Sequence, residues 1–246
     1  MSKIQIKNAS VKFPVLGSSI SALANAAKAS LTGGVLTKSE SKKFEVEALS
    51  SLNLEILPGE RVALVGHNGS GKSTFLRMVA GVYPPTSGEI TIEGTISSLI
   101  DINIGMHPEA TGTENIFLRS ALLGFSKKET TDLFAEIVDF TDLGSFIELP
   151  LKTYSSGMQL RLAFAVSTNA TKDIVIMDEW LSVGDAGFRE KAEKRLQELV
   201  SKSKILILAT HSKELIENTC NRVIWLEHGQ VKMDGPVAVV VPAYFG

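Results

Sequence analysis

Residues 66–73 have the spacing of a phosphate-binding loop, G-x-x-x-x-G-K-[ST], and Thr74 follows them. Its glycines let the backbone take turns that side chains would block, so that successive N–H groups point inward at an anion. Lys72 adds a positive charge for the β- and γ-phosphates, and the Ser73 hydroxyl can ligate Mg²⁺. The nine residues predicted to bind a nucleoside triphosphate are Gly66, His67, Asn68, Gly69, Ser70, Gly71, Lys72, Ser73 and Thr74. Of these, His67 is expected to contribute mainly its backbone N–H.

An acidic pair, Asp178-Glu179, ends a short apolar run farther along the chain. An aspartate at the end of a strand can hold Mg²⁺ opposite Ser73, directly or through water. The neighbouring glutamate can orient or deprotonate an attacking water. His211 ends another apolar run and can donate a hydrogen bond to a γ-phosphate. These residues predict phosphoryl-transfer chemistry, with Glu179 and His211 as its catalytic residues.

Three continuously apolar segments must carry these polar residues: Val62–Val65, Ile174–Met177 and Ile205–Ala209. Such runs are typical of central strands in a parallel sheet covered on both faces. Ligands bind at the carboxyl ends of such strands, so the polar residues are expected to converge on one site. Alternating segments at Ile4–Phe13, Leu52–Ile56 and Ile90–Ile96 predict half-exposed antiparallel strands. A closing hairpin is predicted around His228-Gly229.

A helical stretch lies between the phosphate loop and the acidic pair, at about residues 105–170. Thr113-Glu114-Asn115 is expected to open one helix, Ser126 with Glu129 has the spacing of a capping box, and Met158–Val166 is amphipathic. The rest of the 246 residues is expected to form one domain around it. Residues 15–43 interrupt the first sheet, and Ile20–Leu31 there has a helical apolar face. That insertion is interpreted as a surface helix, a contact element for a partner, or a disordered segment.

Composition excludes several classes of protein. The formal net charge of −2 provides no basic excess for binding nucleic acid. The single cysteine, Cys220, excludes an intramolecular disulfide framework and is typical of a reducing compartment. None of the apolar runs approaches the length that spans a bilayer. We therefore expect a protein that reaches a membrane, if at all, through a partner.

Residues 154–158, Tyr-Ser-Ser-Gly-Met, stand twenty residues before Asp178 and resemble the signature motif of ATP-binding cassette proteins, usually Leu-Ser-Gly-Gly-Gln. The other cassette motifs occur in order around them, including residues 182–185, which resemble the D-loop and end at Asp185. The resemblance implies an α/β fold of the P-loop NTPase ABC cassette type. It would have a RecA-like mixed sheet core, an antiparallel β subdomain and an inserted α-helical subdomain. It also implies that the cofactors are ATP and Mg²⁺ and that Phe13 stacks on adenine.

The signature residues make physical sense at the start of a helix. At a helix start, the hydroxyl of Ser155 and the N–H groups of Ser156 and Gly157 lie where the partial positive charge of the helix favours a γ-phosphate. In this family that helix faces the phosphate loop of another cassette. The resemblance therefore implies a homodimer with ATP, and Asp185, at its interface.

The departures from the common pattern are also informative. The glutamine of the family's Q-loop, expected near Ile102, is absent, and Asp101 and Asn103 are candidates to replace it. Together with the variant signature, this resembles cassettes that export O-antigen, capsular polysaccharide or teichoic acid. The resemblance implies polytopic permease subunits as partners and a peripheral location on the cytoplasmic side of a bacterial inner membrane. No glycan-binding domain is expected after the closing hairpin. Export or import of another cargo, and a soluble cassette ATPase acting on ribosomes or DNA, remain as alternatives.

Overall fold

The structure is a computed structural model, and it describes residues 2–14, 35–38, 44–100, 102–169, 172–179 and 186–246. The chain divides into two compact units. The first unit comprises Met1–Thr95, Ile176–Trp180 and Lys204–Gly246, and the second comprises Ile96–Val175 and Leu181–Ser203.

The first unit contains an antiparallel sheet with the strand order β2-β3-β1-β5. Its strands are β1 (Lys3–Pro14), β2 (Val35–Lys38), β3 (Phe44–Ile56) and β5 (Ser87–Glu93). Apolar and polar residues alternate along β1, which favours a strand with one buried face. Ile4 and Ile6 are buried, and their neighbours in the chain are partly exposed. The predicted antiparallel strands are confirmed, with one correction. The strand predicted over Ile90–Ile96 ends at Glu93, because Gly94 has a φ of 112°, which breaks the extended backbone.

A second sheet supplies the centre of the first unit, where the strand order is β10-β9-β4-β8-β7. The strands are β4 (Arg61–Val65), β7 (Ile174–Asp178), β8 (Ile205–Ala209), β9 (Arg222–Glu227) and β10 (Gln230–Pro236). Strand β4 is parallel to both β8 and β9, and β9 is antiparallel to β10. The sheet is therefore mixed, as predicted. All three apolar runs form strands with almost completely buried side chains.

The described residues of the first unit form three helices, α1 (Lys72–Val79), α6 (Lys213–Thr219) and α7 (Val237–Phe245). The predicted closing hairpin is confirmed as β9 and β10. Its two-residue turn has a positive φ at both positions, 49° at His228 and 77° at Gly229. This geometry matches the right-handed twist of the paired strands and therefore favours a tight hairpin.

The second unit contains the short strand β6 (Ile96–Ser98) and the helices α2 (Gly112–Leu122), α3 (Lys127–Thr141), α4 (Ser156–Thr168) and α5 (Ala186–Lys202). The capping box of Ser126 and Glu129 is confirmed at the start of α3. The sequence predicts the start of α2 at Thr113, but the helix begins at Gly112, because Thr111 and Glu114 form a second capping box there. The rings of Phe140, Phe164 and Phe188 form a cluster in the core.

Residues 15–43 are described only at β2. The helix predicted over Ile20–Leu31 lies outside the described residues. Among the residues that are described, no helix combines the length and the apolar character needed to cross a membrane.

Candidate functional site

The phosphate loop joins β4 to α1, and its shape depends on glycine. Gly71 caps α1 with a φ of 107°, and Gly66 has a φ of 150°. A Cβ on Gly66 would collide with the carbonyl oxygen of Leu226 and lie 2.5 Å from Ser70 Oγ. The Ser70 hydroxyl is fully buried and has no hydrogen-bond partner among the described residues. The loop therefore has the tight, glycine-dependent backbone path of an anion site.

Lys72 folds back over this loop. Its Nζ donates hydrogen bonds to the carbonyl oxygens of Gly66 (2.6 Å) and His67 (3.1 Å). Partial burial lowers the pKa of Lys72, and the charges of Asp178 and Glu179 oppose that shift. The ammonium group is therefore held at the mouth of the loop, with carboxylates nearby to keep it charged.

Ser73 and Asp178 lie in direct contact, although 105 residues separate them. Ser73 Oγ donates a hydrogen bond of 2.9 Å to Asp178 Oδ2. The carboxylate ends β7 and the hydroxyl lies in the first turn of α1, so the fold of the first unit brings them together. A hydroxyl and a carboxylate are the hard oxygen ligands that Mg²⁺ prefers, so this pair fits the predicted metal.

Glu179 and His211 follow the neighbouring strands β7 and β8. Glu179 is exposed and adopts left-handed backbone geometry with a φ of 63°, while its N–H donates to the Ala209 carbonyl oxygen at 2.7 Å. A non-glycine residue in this region is strained, and such strain is concentrated at functional sites. His211 is also exposed, immediately after the buried Thr210. Both predicted catalytic side chains thus stand at the carboxyl edge of the sheet, open to solvent.

Phe13 is half-buried near the end of β1. Its ring meets the edge of Tyr83, with 5.2 Å between ring centroids, and the guanidinium of Arg77 lies 5.9 Å from the Tyr83 centroid. Tyr83 was not predicted from the sequence, because nothing in the chain order shows that the segment after α1 returns to β1. An adenine base could use either ring, since both are partly exposed.

The signature residues belong to the second unit. Ser155 caps α4, and its hydroxyl accepts a hydrogen bond from the Met158 N–H at 3.2 Å. A Cβ on Gly157 would meet only the Ser155 hydroxyl, at 3.9 Å, so the backbone is open there. An open helix N-terminus with free N–H groups is suited to a phosphate. The predicted helix start at this position is confirmed.

Two predicted residues, Asp185 and Asp101, lie outside the described residues. Asn103, the other candidate for the missing glutamine, is exposed. The loop that carries it is held from α2, because Arg119 Nη1 donates to the Ile104 carbonyl oxygen and Asn115 Nδ2 donates to the His107 carbonyl oxygen. Neither hydrogen bond was predicted from the sequence, because a single arginine or asparagine in a helix does not show whether its side chain is buried.

Comparison with known proteins defines the class. The family model described as ABC transporter matches residues 49–182. A solved structure titled "Dimeric Structure of MJ0796, a Bacterial ABC Transporter Cassette" superposes with a TM-score of 0.67, at 21% identity, covering 95% of this chain and 98% of that one. The chain belongs to the ABC transporter family, and it is an ATPase of the cassette type.

Two relatives with a named function are similar to most of this chain. The chain is 41% identical over 231 residues to the O-antigen export system ATP-binding protein RfbE of Yersinia enterocolitica, covering 94% of this chain and 97% of the relative. It is 42% identical over 207 residues to the teichoic acids export ATP-binding protein TagH of Shouchella clausii (strain KSM-K16), covering 84% of this chain and 57% of that protein.

Proposed function

We propose that this chain is the ATP-hydrolysing subunit that powers export of a lipid-linked polysaccharide, of the O-antigen, capsule or teichoic acid type, across the inner membrane. One observation carries the proposal. The similarity to RfbE of Yersinia enterocolitica, an O-antigen export system ATP-binding protein, extends over 94% of this chain at 41% identity. An alignment of this length spans the region of the signature at residues 154–158 as well as the phosphate loop common to all cassettes.

Within this function the phosphate loop holds the triphosphate. Its backbone N–H groups and the Lys72 ammonium neutralise the β- and γ-phosphates. Lys72 would exchange its present bonds to the Gly66 and His67 carbonyl oxygens for phosphate oxygens. The Phe13 ring is the proposed stacking surface for adenine.

Ser73 and Asp178 are the proposed Mg²⁺ ligands, directly or through water. The ion neutralises charge on the β- and γ-phosphate oxygens when it is bound. The 2.9 Å contact between the two side chains supports this assignment, because it brings a hydroxyl and a carboxylate oxygen to one point.

Glu179 is the proposed general base for hydrolysis. Its carboxylate takes a proton from the attacking water, whose oxygen forms a bond to the γ-phosphorus as the bond to the bridging oxygen breaks. ADP leaves with the electron pair of that bond, and inorganic phosphate forms. His211 donates a hydrogen bond to the γ-phosphate and thereby stabilises the charge on its oxygens.

A second copy of the chain completes the site in this proposal. Ser155, Ser156 and Gly157 of one copy would face the phosphate loop of the other, with Asp185 at the same interface. The open N-terminus of α4 supports this role. ATP binding closes the homodimer and hydrolysis reopens it, which gives the cycle that drives transport.

The remaining partners follow from the transport function. Polytopic permease subunits would carry the glycan, with this chain bound peripherally on the cytoplasmic side of a bacterial inner membrane. No nucleic acid is expected as a partner. We further propose one ABC domain over residues 1–246, with residues 15–43 as an insertion in its antiparallel β subdomain and residues from about 105 to 170 as its inserted helical subdomain.

A strain lacking this chain tests the proposal. We expect loss of one surface polysaccharide and accumulation of its lipid-linked precursor inside the cell, both reversed by the wild-type chain but not by Glu179→Gln. Complementation with Lys194→Ala, a change at an exposed position of α5, provides the matched control. Normal export of every surface polysaccharide in the deletion strain would refute the polysaccharide assignment and favour another cargo.

A further inference from the structure

The hairpin of β9 and β10 contacts the phosphate loop at three places, two of which are in its turn. The Leu226 carbonyl oxygen lies directly against Gly66, where it occupies the space that a side chain would need. The His228 ring packs on the His67 ring, with 5.1 Å between centroids. The Gly229 N–H donates a hydrogen bond of 3.0 Å to the Ser70 carbonyl oxygen. These contacts follow the loop from its first residue to its middle.

The turn is itself fixed from the other side by β3. The Gly229 carbonyl oxygen accepts a hydrogen bond of 2.9 Å from the Ser50 N–H. A Cβ on Gly229 would lie 2.7 Å from the Ala48 carbonyl oxygen, and one on Gly71 would lie 2.8 Å from that same atom. The turn thus fits between β3 and the phosphate loop with no room for a side chain at Gly229. Movement of the turn would therefore shift the loop.

The histidine pair is the side-chain part of this contact. The Nδ1 of His67 lies 2.8 Å from the Asn68 carbonyl oxygen, and because a carbonyl only accepts, this nitrogen carries a proton. The bond fixes the orientation of the ring against His228. Glu227, the hairpin residue next to the turn, pairs with Lys232 of β10 at 2.8 Å. The two rings therefore contact each other next to an ion pair that is already satisfied.

We propose that His228 is a positioning residue for ATP binding: its ring holds His67, and with it the first half of the phosphate loop, in the shape that receives the triphosphate. The inference rests on the proposed role of the phosphate loop. His228 acts on the loop and not on the reacting atoms, so it affects the affinity for ATP and leaves the chemical step unchanged.

The left-handed backbone of His228, with a φ of 49°, allows the ring to be tested apart from the turn. Asparagine accepts this conformation well, so His228→Asn keeps the turn and removes the ring. His228→Phe keeps a ring without its nitrogens. A ring contact of this kind corresponds to about a two- to tenfold change in a dissociation constant. Gln230→Ala, at an exposed position of the same hairpin, is the matched control.

We expect His228→Asn to raise the KM and the Kd for ATP about two- to tenfold, with kcat within about twofold of wild type. His228→Phe should restore most of the affinity, and Gln230→Ala should bind as the wild type does. In a double-mutant cycle, His67→Ala should cost much less in the His228→Asn background than in the wild type. Urea unfolding, measured for each variant, should show that the protein is fully folded under the conditions of the binding assay.

Three results would overturn the inference: wild-type affinity in His228→Asn, equal losses in His228→Asn and His228→Phe, or losses that add in the cycle. The variant Lys72→Ala distinguishes failure of the positioning role of His228 from failure of the proposed ATP-binding role of the phosphate loop. If Lys72→Ala abolishes ATP binding while the His228 variants bind normally, only the positioning role is wrong. If Lys72→Ala binds ATP normally, the role of the loop itself is wrong.

Discussion

Ser73 Oγ donates a 2.9 Å hydrogen bond to Asp178 Oδ2, and this contact joins the first turn of α1 to the end of β7. It links the two motifs that the sequence identified separately, the phosphate loop and the acidic pair. A hydroxyl and a carboxylate that meet in this way are suited to share a metal ion with the phosphates. The contact also leaves the adjacent Glu179 exposed and available for a proton.

Glu179→Gln should separate binding from hydrolysis. We expect the variant to bind ATP with an affinity close to wild type and to hydrolyse it about 10²- to 10⁴-fold more slowly, because the amide cannot accept the proton of water. It should also accumulate as an ATP-bound dimer, which size-exclusion chromatography with ATP detects. Asp178→Asn is the comparison, since loss of a carboxylate ligand should raise the Mg²⁺ concentration that half-maximal activity requires. Wild-type turnover in Glu179→Gln would disprove its role as the base.

Gly157→Ala should separate folding from assembly. The added methyl has space and lies in the first turn of α4, so the free energy of unfolding should remain the same or rise by up to about 1 kcal/mol. If the second copy approaches this backbone, ATP-dependent dimerisation and kcat should both fall, while the monomer binds ATP normally. Analytical ultracentrifugation with and without ATP measures the first effect. Unchanged dimerisation would contradict the proposed signature interface.

Arg119 should contribute strongly to the stability of the second unit. Its side chain is buried, donates through Nε and Nη2 to Ser167 Oγ, and also holds the Ile104 carbonyl oxygen. Burial lowers its pKa to about 10. Arg119→Ala leaves these acceptors in an emptied space, at a cost of about 2–4 kcal/mol in the free energy of unfolding. Urea denaturation measures the loss.

Lys194→Ala, at an exposed position of α5, is the control for that experiment and should change the free energy of unfolding by less than about 0.5 kcal/mol. A change of that small size in Arg119→Ala would show that the buried arginine adds nothing to the net stability.

Cys220 should be chemically inert in the native protein. The thiol is partly buried, which raises its pKa from 9.0 to about 12, and the charge of Arg61 opposes that shift. At pH 8 the native thiol should therefore react with a disulfide reagent at least about tenfold more slowly than the unfolded chain. In the unfolded chain the thiol ionises first, so this group's contribution to stability should decrease as the pH rises from about 9 to 12. Equal labelling rates at pH 8 would contradict the burial.

The first-unit sheets and the helix starts were largely predictable because they depend on local chemistry. Runs such as Ile205–Ala209 are apolar throughout, and Ser126 with Glu129 forms the capping box that its spacing indicates. The missed features have no local pattern. The buried Arg119 looks like any helical arginine, and the strand at Ile90–Ile96 was extended past Gly94 because the glycine's φ does not appear in the sequence.

The sequence by itself determined which residues could do chemistry, because the spacing from Gly66 to Thr74 and the pair Asp178-Glu179 are local properties of the chain. Tertiary structure alone decided which of them meet. The Ser73 contact with Asp178 needs α1 and β7 on one sheet edge, and the His67 contact with His228 needs β9 to lie beside β4. Contacts between residues more than a hundred positions apart depend on strand order. Strand order is set by the packing of the whole sheet and not by any segment of it.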